Sequence, residues 1–338
     1  MLKNILDSIE KLDIPTPTLE GQCLSIMHPE WRGIRSSTEN LFDFTLYLGD
    51  TETNEKIKRF AEIVVSTGIK TVVLSGFPST YTRLVEYIHK ANRSIKILCL
   101  WHGNFLQSNE DYNWESFKQV ARLCEERKIY KWGFVKKGMA EILSERLGIN
   151  TAFVMNYIKA PVREAKKLGK SETKIAIWAI SMNWRKNPYA MIAAASVIPG
   201  VKLYGFGQDS RVSEYVNFFN IPSDIKSTPL PQNKMLDFLR NMHLNLYVTL
   251  SECAPMTPLE SLTAGSPCLM GPNSHYFEDN DYLRKRLIVE YPDMASVIQK
   301  HIEICIEERE DIIKEYMKYA PGYNERAIQS LKNFLEIS

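Results

Sequence analysis

The chain has 338 residues, 44% hydrophobic and 24% charged, with a formal net charge of +2. That length is about twice the ~150 residues of a typical domain, so two domains are expected, and the near-neutral balance excludes the concentrated basic footprint of a nucleic-acid binder. Residues 1–169 carry 24 Lys+Arg against 20 Asp+Glu and the remainder 18 against 20, a slight tilt that would suit weak peripheral contact with an anionic membrane surface.

The opening stretch, "MLKNILDSIEKLDIP", puts Leu2, Ile5, Ile9 and Leu12 on one helical face and ends at Pro15. Its Asp7, Glu10 and Asp13 are foreign to a signal peptide's apolar segment, so it reads as a docking helix. No apolar run reaches the ~18 residues of a membrane span. The six cysteines are scattered without a C-x-x-C pair and read as reduced thiols. A cytoplasmic location is expected, with any lipid contact at the inner face of the membrane.

From residue 23 onward, short β-rich apolar runs alternate with helical patterns. "CLSIM" (23–27), "FTLYL" (44–48), "KTVVLS" (70–75), "IKILCL" (95–100), "YKWGFV" (130–135) and "TAFVM" (151–155) are the expected strands of the first half. Near-continuous apolar strands between helices imply a parallel sheet covered on both faces. "KAPVREAKKLGKSET" (159–173) breaks the rhythm with Pro161 and Gly169 and reads as a linker. The pattern restarts with strands at 174–181, 201–206, 244–250, 267–270 and 286–290, separated by helices near 188–198, 211–219, 232–241 and 258–264. From 293 the chain reads as helical, with Pro321-Gly322 splitting off a last helix. The expected fold class is α/β: two Rossmann-like doubly wound domains, 1–160 and 170–320, facing across a cleft.

Between two of these strands lies "SECAPMTPLE" (251–260). Pro258 is tolerated only in a first helical turn, and Pro255 excludes helix before it. The stretch therefore reads as strand end, loop and helix, with Thr257 as N-cap, Pro258 at N1 and Glu260 at N3 in a T-x-x-E capping box. The amides of Met256, Thr257 and Leu259, with the helix dipole, make a site for a phosphate. Capping alone accounts for Glu260; it leaves Glu252 unexplained.

"LYVTLSECAPMTPLESLTAGSPCLM" resembles the signature of the retaining glycosyltransferases of the GT-B fold, family four (glycosyl transferases group 1). Glu252 and Glu260 match its two acids, with seven residues between them, and Gly265-Ser266-Pro267 its tail. The resemblance implies that Glu252 lies by the transferred sugar, that Glu260 binds the donor ribose, and that the amides between them hold phosphates. More loosely, "SIMHPEWRGIRSST" is similar to the family's first strand and glycine loop, placing Gly33 near the diphosphate. "LCLWHGN" nominates His102 as a sugar contact, and "GINTAFVMNYI" puts Asn156 at the family's asparagine. "IWAISMNWRKNPYAMIAAA" corresponds to the segment holding the diphosphate clamps, which nominates Arg185 and Lys186; being adjacent, one of them would point away, and Arg185 is favoured for its bidentate fork. The last helix, 322–338, would cross back to the first domain. Cys253-Ala254-Pro255-Met256 departs from the family's glycines. Read without the resemblance, His102 is a strand-end histidine, Arg185 and Lys186 are loop charges and Gly33 is a turn glycine.

The implied activity is metal-independent transfer of a sugar, with retention, from a nucleoside-diphosphate donor to an acceptor hydroxyl on a carbohydrate, lipid-linked or protein acceptor. No cofactor is implied beyond the nucleotide sugar itself, and no nucleic-acid partner. Two rivals share the fold: a non-catalytic nucleotide-sugar or partner-binding subunit, and a nucleotide-sugar epimerase or hydrolase. "NSHYFEDNDY" (273–282) is a candidate flap over the donor or a surface loop, and "GFG" (205–207) a turn or a border to the base.

Overall fold

A computed structural model describes residues 23–169, 171–178, 183–207, 209–228 and 230–337. The helix expected over residues 1–15 lies outside them. The chain divides into two compact units, one ending at Tyr157 and resuming at Arg326, the other formed by Ile158–Glu325.

The first unit alternates strands and helices: β1 (Cys23–Met27), α1 (Arg32–Leu41), β2 (Phe44–Tyr47), α2 (Asn54–Ser66), β3 (Thr71–Ser75), α3 (Thr80–Ala91), β4 (Lys96–Trp101), α4 (Asp111–Glu125), β5 (Lys131–Phe134), α5 (Met139–Leu147) and β6 (Thr151–Phe153). The strands form one parallel sheet in the order β2-β1-β3-β4-β5-β6. Ile26, Val72, Leu74 and Cys99 are buried within it, which is why these strands read as unbroken apolar runs rather than as alternating ones. Helix α2 buries Ile57, Phe60, Ala61 and Val64, and α3 buries Tyr81, Leu84, Val85 and Ile88, each set at i, i+3, i+4, i+7. Each such Val, Leu, Ile or Phe side chain contributes about 1.5–3 kcal/mol by leaving water.

The second unit runs β7 (Thr173–Ile177), α6 (Pro188–Ser196), β8 (Val201–Phe206), α7 (Ser210–Phe218), β9 (Ser223–Lys226), α8 (Met235–Arg240), β10 (Leu244–Tyr247), α9 (Met256–Thr263), β11 (Cys268–Met270), α10 (Asp281–Leu287), α11 (Ala295–Glu307) and α12 (Arg309–Leu335). Its parallel sheet has the order β11-β10-β7-β8-β9, so the strand order reverses between β7 and β10. Both sheets are therefore doubly wound. No helix among the described residues is long and apolar enough to cross a membrane.

Two expectations are corrected, and one strand was not foreseen. Residues 286–290 are not a strand: Arg286 and Leu287 end α10, and Ile288 makes only a single bridge to Met270. Edge strand β9 has the sequence SDIK and three exposed residues of four, so it carries no apolar signal. Pro321 lies inside α12 and does not break it. A mid-helix proline costs about 3 kcal/mol, but Tyr316, Ala320 and Tyr323 are buried around it and offset the lost hydrogen bond. The basic stretch from Lys159, read as a linker, is tied down within the second unit at two points. The Arg163 N–H donates to the Thr263 carbonyl at 2.8 Å, and Arg309 Nη1 donates to the Lys166 carbonyl at 2.8 Å.

The last turns of α12 pack within the first unit. Phe334 is fully buried, and a Cβ placed on Gly133 of β5 would stand 2.6 Å from its ring. Ser330 Oγ accepts the Met155 N–H at 2.9 Å. Lys131, Lys96 and Tyr130 converge on Glu336 and hold its carboxyl down to about 2.

Candidate functional site

Ligands of doubly wound sheets bind beyond the carboxyl ends of the strands, where the strand order reverses. In the second unit this is the mouth between β7 and β10. Past Trp178 the chain leaves the described residues for 179–182, then Asn183 caps a short 3-10 turn, Trp184–Lys186, accepting the Arg185 N–H at 3.2 Å. Asn187 follows at φ 53°, a left-handed position that asparagine tolerates, and Pro188 opens α6 at N1. The loops leaving β7 and β10 are stapled together. Leu250 N–H donates to the Arg185 carbonyl at 2.8 Å, and Asn187 Nδ2 to the Val248 carbonyl at 3.1 Å.

The staple sets both cations on Glu252. Its Oε1 accepts from Arg185 Nη1 at 3.2 Å and also binds Lys186 Nζ. Lys186 Nζ donates in addition to the Tyr247 hydroxyl at 3.2 Å and sits 5.4 Å from the centroid of that ring. Tyr247 donates to Glu252 at 3.4 Å, and burial together with the Glu252 charge lifts its pKa well above the ordinary value. The Arg185 and Glu252 side chains are each only 13% exposed, so the charges interact across little water. Adjacent Arg185 and Lys186 do not diverge, contrary to expectation, because the tight turn brings consecutive side chains to one carboxylate.

Helix α9 begins four residues after Glu252, and its start differs from the capping-box reading. The N-cap is Pro255 at φ −65°, ψ 136°, Met256 is N1, and no side chain caps the turn. Proline presets the extended N-cap conformation, and Pro258, now at N3, lacks only an N–H that has no intrahelical acceptor anyway. Thr257 therefore lies at N2 and Glu260 at N5, so no T-x-x-E box forms. Helical register commits the Leu259 amide to the Pro255 carbonyl, leaving Met256 and Thr257 as the amides without intrahelical acceptors. Glu260 is buried at 5% exposure, as are Cys253, Ala254 and Met256 in the loop that lacks the family's glycines.

Below α9 lies a buried polar web that the sequence did not flag. Asn245 Nδ2 donates to Ser261 Oγ at 2.8 Å and Ser266 Oγ at 3.1 Å, while its Oδ1 accepts from Trp178 Nε1 at 2.7 Å. The available signal is an asparagine in the otherwise apolar strand "LNLY". Gly265, at φ 88°, lies so close to the backbone of Arg163 and Glu164 that any Cβ would clash.

Other nominated positions fall as follows. Gly33 is the second residue of α1, with open space where a Cβ would stand, so it is neither a turn glycine nor part of a glycine loop. His102 follows β4 as expected. Its Nε2 pairs with Ser75 Oγ at 2.9 Å, Ser75 Oγ with Thr38 Oγ1 at 2.6 Å, and burial lowers its pKa to about 3, so the ring is neutral. Asn156 accepts from Ser37 Oγ at 2.6 Å in the first unit's interior. Residues 273–282 are no flap: Tyr276 and Phe277 are buried, and the Tyr276 hydroxyl donates to the Pro255 carbonyl at 3.0 Å. The Asp279-Asn280-Asp281 triplet in that segment opens α10, with Asn280 as N-cap. "GFG" places Phe206 at the end of β8, stacked on Trp178 with ring centroids 5.7 Å apart.

No protein-family model matches the chain, and no curated protein sequence matches it. Among solved structures it is similar to Anabaena Alr3699/HepE in complex with UDP and glucose, with 8% identity and a TM-score of 0.66 over 93% of this chain and 98% of that one. It is similar to the N-terminal domain of Candida albicans trehalose-6-phosphate phosphatase, with 11% identity and a TM-score of 0.61 over 94% and 97%. To S. aureus TarM, in complex with fondaparinux, alpha-GlcNAc-glycerol and UDP, the likeness is 15% identity and a TM-score of 0.60 over 82% of this chain. The chain spans 58% of that TarM chain's length. At such identities the likeness is one of fold, and the fold is the GT-B class with its two Rossmann-like α/β units.

Proposed function

We propose that this chain is a retaining, metal-independent glycosyltransferase of family four, moving a sugar from a nucleoside diphosphate to an acceptor hydroxyl. The observation that carries the reading is the Arg185–Lys186–Glu252 cluster at the strand-order reversal, immediately before the N-terminus of α9. The two cationic side chains, the amides of Met256 and Thr257 and the helix dipole all favour a diphosphate there. Structures similar in fold include two solved in complex with UDP.

The chemistry follows from where charge develops. As the glycosidic bond breaks, negative charge collects on the departing diphosphate and positive charge on the sugar. Arg185 and Lys186 stabilise the former; fixed donors in a water-poor site are worth roughly 3–4 kcal/mol each. Glu252 holds the two cations in register and faces the electron-deficient sugar. The acceptor hydroxyl gives its proton to the leaving diphosphate. Trp178 and Phe206 offer a stacking surface for the base, and Glu260 binds the ribose.

A binding-only role is favoured by one observation: Cys253, Ala254 and Met256 replace glycines and pack into the interior. Thermal shift against UDP-, GDP-, ADP- and TDP-sugars tests both readings, since a ligand at 100 times its Kd should add about 2.7 kcal/mol of stability. Stabilisation without turnover supports the binding role. Turnover that retains the anomeric configuration, read by NMR of the product, supports the transferase.

A further inference from the structure

The carboxyl ends of β1, β3 and β4 in the first unit surround a cavity of about 420 Å³ with His102 on its wall. We propose that this cavity binds an uncharged sugar ring, making the acceptor a neutral glycoside and excluding phosphorylated sugars; this rests on the transferase reading.

The wall chemistry selects that class. Trp31, Phe77 and Tyr112 supply flat apolar surface of the kind that the C–H face of a pyranose covers. Asp50 supplies a carboxylate suited to vicinal hydroxyls, while the Asn113 and Gln107 amides on the same wall are oriented by Glu110 and by the Asn104 N–H. Trp101 Nε1, on the same wall, is buried and has no hydrogen-bond partner among the described residues. A buried donor left without an acceptor calls for one supplied from outside the chain.

Charge decides against a phosphate. No lysine or arginine is among the described residues lining the cavity. His102 is neutral, because burial lowers its pKa to about 3. Burial and the Asp50 charge lift the Tyr112 hydroxyl to about 12, so it too stays uncharged. Among the described residues lining the cavity the one carboxylate is Asp50, whose Oδ1 lies 3.3 Å from His28 Nε2. The neighbouring cavity shares Phe77, Tyr112 and Ser116 and brings Arg83, but that guanidinium is held by Asn54 at 2.5 Å. A phosphate in the first cavity would meet a carboxylate and no lysine or arginine among the described residues that line it. The aromatic wall is also built in: a Cβ on Gly76 would lie 2.7 Å from the Trp31 ring, so glycine is what lets the indole seat there.

The test is saturation-transfer NMR and calorimetry on the full chain. The probes are methyl glycosides of glucose, galactose, mannose and N-acetylglucosamine, set against glucose 6-phosphate and mannose 6-phosphate. The proposal expects at least one methyl glycoside to bind, and its affinity to fall about tenfold in Tyr112→Ala, a rim residue whose loss leaves the core intact, and in Trp31→Ala. Melting curves of both variants establish that they remain folded. Tighter binding of the sugar phosphates, no binding of any methyl glycoside, or affinity unmoved in folded Tyr112→Ala and Trp31→Ala would each overturn it. UDP-, GDP-, ADP- and TDP-sugars titrated in parallel separate the two readings. Glycoside binding without any nucleotide binding fails the transferase reading alone; nucleotide binding without glycoside binding fails this one alone.

Discussion

The two sheets end in opposite chemistry. Beyond β7 and β10 the second unit gathers two cations on one carboxylate and opens a helix N-terminus. Beyond β1, β3 and β4 the first unit gathers aromatic rings, amides and a single carboxylate, with no lysine or arginine among the described residues lining the cavity. One doubly wound scaffold thus presents a surface for an anion in one unit and a surface for a neutral polyol in the other. The difference comes from the loops alone, since both sheets are parallel and buried.

That contrast is broken most directly at Arg185. Arg185→Ala should lower turnover of a nucleotide sugar by about 100- to 1000-fold, the effect of losing one fixed donor at a developing anion, as steady-state kinetics would record. Gly265→Ala attacks the platform under α9. Positive φ and a backbone clash should cost about 2–3 kcal/mol, read as a lower denaturant midpoint without change of slope. Glu252→Gln sharpens the comparison from the other side. Freed of its carboxylate, the cation pair should bind UDP or inorganic pyrophosphate about tenfold more tightly, close to the value of one charged hydrogen bond, while turnover falls. The smallest effect concerns His102. Its native pKa lies near 3 against an ordinary 6.5, so between those values the unfolded chain takes up a proton that the native state does not. Stability should therefore fall as pH drops from 6.5 towards 3 and be indifferent to this group above 6.5. His102→Asn should flatten part of that slope in melting temperature against pH.

How much of this was legible in sequence follows from burial. Strands covered on both faces announce themselves as apolar runs, and β1, β3, β4, β8 and β10 fall within a residue or a few of where "CLSIM", "KTVVLS", "IKILCL", "VKLYGF" and "LNLYVTL" put them. Strand β9 is polar and at an edge, so nothing in SDIK sets it apart from a loop. Proline misled twice. Pro321 reads as a stop, yet buried tyrosines keep its helix continuous; Pro258 reads as N1, yet Pro255 takes the N-cap two residues earlier. Adjacent Arg185 and Lys186 offered no hint of their common partner, because their convergence on Glu252 depends on a left-handed turn at Asn187 and on strand order across some sixty residues. The aromatic cavity was missed for the same reason: Trp31, Phe77 and Tyr112 leave three different strands.

Calorimetric titration of nucleoside diphosphates into the wild-type chain and an Arg185→Ala/Lys186→Ala double variant tests the central claim most directly. The account predicts that one diphosphate binds the wild type and loses about 100-fold in affinity or more in the variant, two charged hydrogen bonds' worth. Equal affinity in the two folded proteins would contradict it.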